Sequence, residues 1–327
     1  MISFSNTRKQ ELFANFKNKK ILVLGDLMLD RYLWGTVVRI SPEAPVPVVE
    51  VEEEAVRLGG SANVVNNIRS LGAVAIPIGV VGDDEPGNRL IELFQKMDFD
   101  TGGIIRDRSR LTSIKTRIIA HGQHVVRADQ ESKEPIHAKI INEIIAQVNR
   151  YVDDCDAVIF QDYNKGLLTK KLINKVIQIA NEKQKVIAVD PKFDNFFEYK
   201  YVTVFKPNRK ELQDALGVRI VTDDHLRDAC YKLKQKLDCR NLLVTLGERG
   251  MCLLDDQNEL SIIPTKAKKV HDVSGAGDTV ISTLTVALVA GSNIKEATTL
   301  ANYAAGIVVS EVGVVPIHID QLIKTIE

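Results

Sequence analysis

Short apolar runs alternate along this chain with segments whose apolar positions recur every three or four residues. Residues 21–25 read ILVLG, a continuous apolar run ending in glycine, which predicts a buried first strand. Residues 61–71 carry the helical period, and Gly72 stands just past their end, where a left-handed residue is favoured. A strand is predicted at 73–81 and a helix at 86–97. Further short β-rich runs lie at 157–160, 186–189, 202–205 and 242–246. Helical stretches at about 140–152 and 170–181 precede and separate the first of these. Two helices, about 277–290 and 294–309, close the pattern, joined by Gly291-Ser292-Asn293. Such alternation predicts an α/β domain with a mostly parallel central sheet, covered by helices on both faces.

Two segments break the pattern. Residues 46–51 and 113–129 alternate apolar and polar, as exposed strands do, and His121-Gly122 fits a hairpin turn. Antiparallel strands inserted in such a domain form a lid or small second sheet, and a lid excludes water from a reaction. No repeat, low-complexity stretch or linker interrupts the chain. The expectation is one domain over 1–327, with a discontinuous β lid built from about 34–52 and 113–130.

Charge and composition narrow the function. Lysine plus arginine and aspartate plus glutamate are 43 each, so the formal net charge is zero. That argues against a nucleic-acid partner, whose phosphates call for a basic excess. The four cysteines form no C-x-x-C pair and the six histidines no metal spacing. The polar, helix-like first 20 residues hold no signal-type apolar core, and no apolar run is long enough for a bilayer. A soluble, cytoplasmic protein without a membrane partner is expected.

The densest chemical signal is Asp272-Val273-Ser274-Gly275-Ala276-Gly277-Asp278-Thr279, ahead of a long apolar helix. Small residues let backbone N–H groups converge on an anion, and the helix N-terminus adds partial positive charge. Asp278 falls in the first helical turn. A carboxylate beside an anion site is unfavourable unless it has a task, and taking the proton of an attacking hydroxyl is one. The bland reading is an ordinary helix start, and glycine spacing alone leaves both open. Gly59-Gly60-Ser61-Ala62-Asn63 has similar physics, against the plainer reading of a turn and cap. Asp26 and Asp30 follow the first strand, where open α/β sheets bind ligands and paired carboxylates grip sugar hydroxyls; a cap or surface charge is the alternative. G-x-x-x-x-G-K-[ST] is absent, and so is G-x-G-x-x-G after the first strand, which excludes P-loop and dinucleotide-binding patterns.

Gly-Ala-Gly-Asp late in the chain, with Gly-Gly-Ser-Ala-Asn early in it, resembles the ribokinase-like (PfkB) carbohydrate kinases. Asp190-Pro191-Lys192, Lys206-Pro207-Asn208-x-x-Glu211 and Thr245-x-Gly247-x-x-Gly250 agree, in order, from about Lys20 to Pro316. Val273-Ser274 departs from the two threonines more usual in the family. Within the family, residues 26–32 (DLMLDRY) and 39–49 (RISPEAPVPVV) are similar to heptose 7-phosphate kinases of the lipopolysaccharide-heptose pathway. Asp162-Tyr163-x-Lys165-Gly166 and Lys115-x-Arg117 fit that subgroup. Many such kinases are fused to a nucleotidyltransferase; with no H-x-G-H, this sequence is expected to be the stand-alone kinase.

The resemblance implies a ribokinase-like three-layer fold and ATP-dependent phosphorylation of heptose 7-phosphate at O1. It implies Asp278 as base and the backbone of Gly275, Ala276 and Gly277 as anion hole. Asn208, Arg209, Lys210 and Glu211 are implied near the ATP phosphates, with Glu211 toward Mg²⁺. Thr245, Gly247, Gly250 and Asn302 are implied around the nucleotide. Asp26, Asp30, Gly59, Gly60 and Asn63 are implied around the sugar. A substrate phosphate needs cations, and Lys115, Arg117, Lys165 and Lys192 are the candidates, each otherwise a solvated charge. Lys165 and Lys192 follow successive strands and are expected to reach one cleft. A homodimer through the lid strands is expected. The alternatives are a PfkB kinase for a hexose, hexose phosphate or nucleoside, or a non-catalytic sugar- or nucleotide-binding regulator.

Overall fold

A computed structural model of the chain describes residues 4–326 apart from 268 and 312; the first three residues of the polar N-terminal stretch lie outside it. The chain runs α1 (Asn6–Phe16), β1 (Lys20–Gly25), β2 (Leu27–Ile40), β3 (Pro47–Gly60), α2 (Ser61–Ser70), β4 (Val74–Gly82), α3 (Glu85–Lys96) and β5 (Ile104–Asp107). It continues through β6 (Ser113–Ala120), β7 (Gln123–Gln130), α4 (Ala138–Tyr151), β8 (Ala157–Gln161), α5 (Lys170–Glu182), β9 (Val186–Asp190) and β10 (Val204–Phe205). The last part holds α6 (Arg209–Leu216), α7 (Asp223–Leu237), β11 (Asn241–Thr245), β12 (Met251–Leu254), β13 (Leu260–Ile263), α8 (Ala276–Val289), α9 (Ile294–Val308) and α10 (Ile319–Thr325).

Nine strands form one sheet in the order β13-β12-β11-β10-β9-β8-β1-β4-β5. Every ladder from β5 to β11 is parallel; β12 pairs antiparallel with both neighbours. A parallel strand covered on both faces must be apolar at every position, not at alternate ones. In β1, Ile21 and Val23 belong to the apolar cluster shared with α2 and α8, while Leu22 and Leu24 belong to the one shared with α4, α5 and α7 on the other face. The result is three layers: helices, sheet, helices.

The second sheet has four strands in the order β3-β2-β6-β7. Its two hairpins, β2–β3 and β6–β7, are antiparallel, as the alternation predicted. Its central ladder, β2–β6, is parallel, because the two hairpins are joined through their first strands. The sheet is also longer than expected, with β2 starting at Leu27 and β3 ending at Gly60. The turn at His121-Gly122 has both φ values positive, 51° and 74°, which suits the twist of a tight hairpin.

Other differences have local causes. The 202–205 run forms strand only at its last two residues. Charged residues spread around α7 obscured its stripe of Leu226, Cys230, Leu233 and Leu237. Among the described residues no helix is long and apolar enough to cross a membrane.

Candidate active site

The carboxyl ends of β1, β8, β9 and β10 meet the start of α8, and there the predicted residues converge. Gly275 has φ 78° and caps α8 in a left-handed conformation. Ala276 N–H donates to Val273 O at 3.3 Å, so this amide, predicted in the anion hole, is turned back into the loop. Among the described residues the amides of Gly275 and Gly277 make no such bond, and Gly277 faces Asp190 and Lys206.

Asp278, in the first turn of α8, is 6 % exposed. Asn63 Nδ2 donates to its Oδ2 at 2.7 Å; Tyr163 OH and Gln161 Nε2 donate to its Oδ1 at 2.6 and 3.1 Å. Burial pushes this carboxyl up, the Tyr163 and Asn63 donors pull it back, and the balance rests at about 6. A general base works best with a pKa near the working pH. Gln161 also reaches Asp190 Oδ2 at 3.3 Å, and Asp190 pairs with the buried Lys206 at 3.0 Å.

Two cavities adjoin at Gly277, and the second of them reaches Asp278. One, about 460 Å³, is lined by Thr245, Gly247, Gly250, Asn302 and Gly306, with Ala276 and Gly277 at its floor. The other, about 610 Å³, holds Asp278, Asp190, Lys192, Lys206, Asn208 and Glu211, and shares Thr245, Gly247, Val273 and Gly277 with the first. Gly250, at φ 88°, admits no side chain: a Cβ would stand 2.1 Å from Ile263 O. Asn302 lines the first cavity but commits its amide to Pro264 O at 2.7 Å. Asn208 and Glu211 form a reciprocal capping box at the start of α6, and Glu211 also pairs with Lys192. Arg209 is held on Ile220 O, and the exposed Lys210 pairs with Asp214. Both border the second cavity.

Away from Asp278, past the loop after β8, lies a crevice of only about 10 Å³ lined by Asp26, Arg110, Ser113 and Lys165. Asp26 is buried, and its Oδ2 accepts from the backbone of Tyr163 (2.9 Å) and Lys165 (3.2 Å). It thus clamps the loop after β8. Asp30, on β2, pairs with Arg117 on β6. Gly59 and Gly60, expected in a turn, are instead the last residues of β3. Gly60 takes φ 56°, and a Cβ on Gly59 would stand 2.5 Å from Asp30 Oδ2. Lys165 and Lys192 line different cavities, and only that of Lys192 includes Tyr163.

Sequence reading left Gln161, Tyr163, Asp190, Lys206 and Asn67 without roles. Asn67 Nδ2 donates to Asn63 O (2.9 Å) and Oδ1 (3.3 Å), while its Oδ1 accepts from Thr279 OH (3.1 Å) and Ile317 N (3.0 Å). A buried asparagine four positions after Asn63, on one helix face, was the available signal. Asp162 is also buried and accepts from Tyr199 OH at 2.7 Å; burial, then Asp26, pushes it up to about 7.

The fold and sequence have known counterparts. Arabidopsis thaliana ribokinase complexed with ribose and ATP superposes with a TM-score of 0.74 at 17 % identity, over 94 % of this chain and 99 % of that one. Escherichia coli phosphofructokinase-2 in complex with fructose-6-phosphate gives 0.79 at 16 %, over 94 % and 97 %. Bifunctional protein HldE of Helicobacter acinonychis is 44 % identical over 295 residues, 90 % of this chain and 64 % of the relative. That of Helicobacter hepaticus is 46 % identical over 297 residues, 91 % and 61 %. The chain therefore spans less than two thirds of the length of these curated relatives. The family model for pfkB family carbohydrate kinases matches residues 18–320, and the chain belongs to that family.

Proposed function

We propose that this kinase transfers the γ-phosphoryl group of ATP to O1 of D-glycero-D-manno-heptose 7-phosphate, giving the 1,7-bisphosphate and ADP. The observation that carries the reaction is the buried Asp278 carboxylate lining the cavity of Asp190, Lys192 and Lys206, at a helix N-terminus suited to an anion. The motifs at 26–32 and 39–49, with the HldE relatives, carry the choice of sugar.

ATP fits the pair of connected cavities, its base in the slot of Gly250, Asn302 and Gly306 and its phosphates toward Gly275, Gly277 and Lys206. Asp278 takes the proton from the acceptor hydroxyl as that oxygen bonds to the γ-phosphorus and ADP leaves. Lys206 and the α8 amides meet the charge spread over the transferring group. Asp26, Asp30 and Asn63 surround the acceptor, and the four-stranded sheet serves as a lid that excludes water.

Mg²⁺ neutralises phosphate charge when it accompanies ATP. Among the described residues no group of three or more His, Cys, Asp or Glu could hold a metal unaided. Glu211 and Asp190 border the phosphate side, which suits a cation held mostly by phosphates and water. The enzyme works in the cytoplasm as a homodimer. The dimer covers Val38, Ile40, Val46 and Val51, all more than half exposed at the tip of the small sheet.

ADP release measured with heptose 7-phosphate, fructose 6-phosphate, fructose and ribose tests the reading. Preference for either hexose or for ribose overturns the heptose assignment and leaves the kinase.

A further inference from the structure

Five cations crowd the acceptor side: Lys115, Arg117, Arg127, Lys165 and Arg110. Arg110 is spent on backbone carbonyls, donating to Lys165 O and Ser132 O, and three of the others own a carboxylate. Arg117 pairs with Asp30, Arg127 donates to both oxygens of Asp129 (2.9 and 3.1 Å), and Lys165 Nζ lies 2.6 Å from Glu131 Oε2. Lys115 owns none: among the described residues no carboxylate stands within ion-pair distance of it. It is nevertheless partly buried, with Nζ 5.8 Å from the Tyr163 ring centroid. Burial, and next Lys165, push its pKa down. A partly desolvated ammonium beside a like charge is unfavourable until an anion joins it.

The location is as informative as the charge. Tyr163 OH donates to Asp278 Oδ1 at 2.6 Å, so one phenol ring separates Lys115 from the base. An acceptor presenting a hydroxyl to Asp278 and an anionic group at its far end spans that interval. Lys192 also lies near this ring, 6.0 Å from its centroid, but it pairs with Glu211 and lines the phosphoryl-donor cavity. Lys192 is thus placed for ATP, and Lys115 for the acceptor.

We propose that Lys115 binds the phosphomonoester of the acceptor, with Lys165 beside it, and so makes the enzyme select sugar phosphates over free sugars. The proposal rests on the reading of the acceptor as a sugar phosphate. Lys115 belongs to β6 of the small sheet, whereas Tyr163 and Lys165 follow β8 of the large one. A phosphate held between the two lysines joins the sheets across the site, so acceptor charge and closure are coupled.

The test compares wild type, Lys115→Met and Lys115→Arg with heptose 7-phosphate and with unphosphorylated heptose, folding being checked by thermal unfolding. Methionine keeps the apolar stem over Tyr163 and removes the charge. Lys115→Met is expected to raise KM for the 7-phosphate roughly ten- to a hundredfold, as loss of one charge-assisted phosphate contact does. KM for ATP and turnover of the free sugar should stay near wild type, and Lys115→Arg should recover most of the loss. If Lys115→Met fails to fold, Lys115→Gln takes its place. A wild type that prefers the phosphate ester, with a Lys115→Met KM unchanged, overturns the assignment of Lys115 alone. A wild type with no such preference overturns the substrate reading, and this proposal with it.

Discussion

Asn63 Nδ2 donates to Asp278 Oδ2 at 2.7 Å, joining the first turn of α2 to the first turn of α8 across 215 residues of sequence. Each partner needs the other. Asp278 loses its solvent on folding, and the amide replaces part of it. The amide in turn faces one way only, because Asn67 occupies the oxygen side of Asn63.

Replacing Asp278 with asparagine keeps the shape and removes the base. Turnover is expected to fall by about 10²–10⁴, as loss of a general base does, while ATP binding measured by calorimetry persists. Near-normal kcat would remove Asp278 from the mechanism. Stability should move the other way. The folded carboxyl sits at about 6, above its ordinary 3.8, so ionisation opposes folding fully above pH 6 and not at all below 3.8. The variant should therefore melt above wild type at pH 8, and the gap should close toward pH 4. An equal or lower Tm at pH 8 would contradict the burial account.

The same carboxyl sets the acid limb of activity. Only the ionised form accepts a proton, so kcat/KM for the acceptor should rise with pH through an apparent pKa of about 6. Asp190 raises that value and Lys206 lowers it. Lys206→Met should therefore move the limb upward as well as weaken ATP. A limb near the ordinary carboxylate range in wild type would mean that Asp278 is solvated in the working enzyme.

Asn67 touches neither cavity, and its effect should come through Asn63. In Asn67→Ala the Asn63 amide is free to rotate, and Asp278 loses a donor that holds its charge. The expected result is a lower kcat and an acid limb displaced upward, with KM for ATP unchanged. Thr279 OH and Ile317 N also lose their acceptor, so stability should fall by the cost of unpaired buried groups, roughly 1–3 kcal/mol, and Tm with it. A drop in Tm with an unmoved pH profile would leave Asn67 a purely structural role.

Much of this site was legible because its parts fall at strand ends and helix starts, which hydrophobic periodicity marks. Asp278, Gly275 and Asn63 stand at such boundaries. Gln161 and Lys206 do too, but one falls just past the strand read at 157–160 and the other stands in a motif that assigned it no role. Only the parallel alignment of β8, β9 and β10 turns them inward. The small sheet was legible as alternation, and the expected insertion of about 34–52 took in the second half of β2; the first half, Leu27–Tyr32, was missed because it is mostly buried and lacks the exposed-strand pattern. The separation of Lys165 from Lys192 was beyond sequence reading, since it depends on the carboxylate each one finds in the fold, Glu131 for Lys165 and Glu211 for Lys192.

Gly59 offers a steric test of the acceptor side. It sits opposite Met28 in the β2–β3 ladder, two residues from Asp30 along β2. A Cβ there would lie 2.5 Å from Asp30 Oδ2 and 2.8 Å from its Cγ, well inside contact distance. Asp30 has little room to yield: it is 4 % exposed, and Arg117 grips its other oxygen. Alanine at this position must therefore displace the carboxylate or spread the two strands, at a cost of about 1–3 kcal/mol typical of overpacking. Nothing on the nucleotide side shares this contact. Gly59→Ala should raise KM for the sugar phosphate and lower Tm, while KM for ATP and the acid limb of activity stay in place. Should the variant melt lower yet bind the acceptor as wild type does, Asp30 is a structural partner of Arg117 and not a sugar ligand.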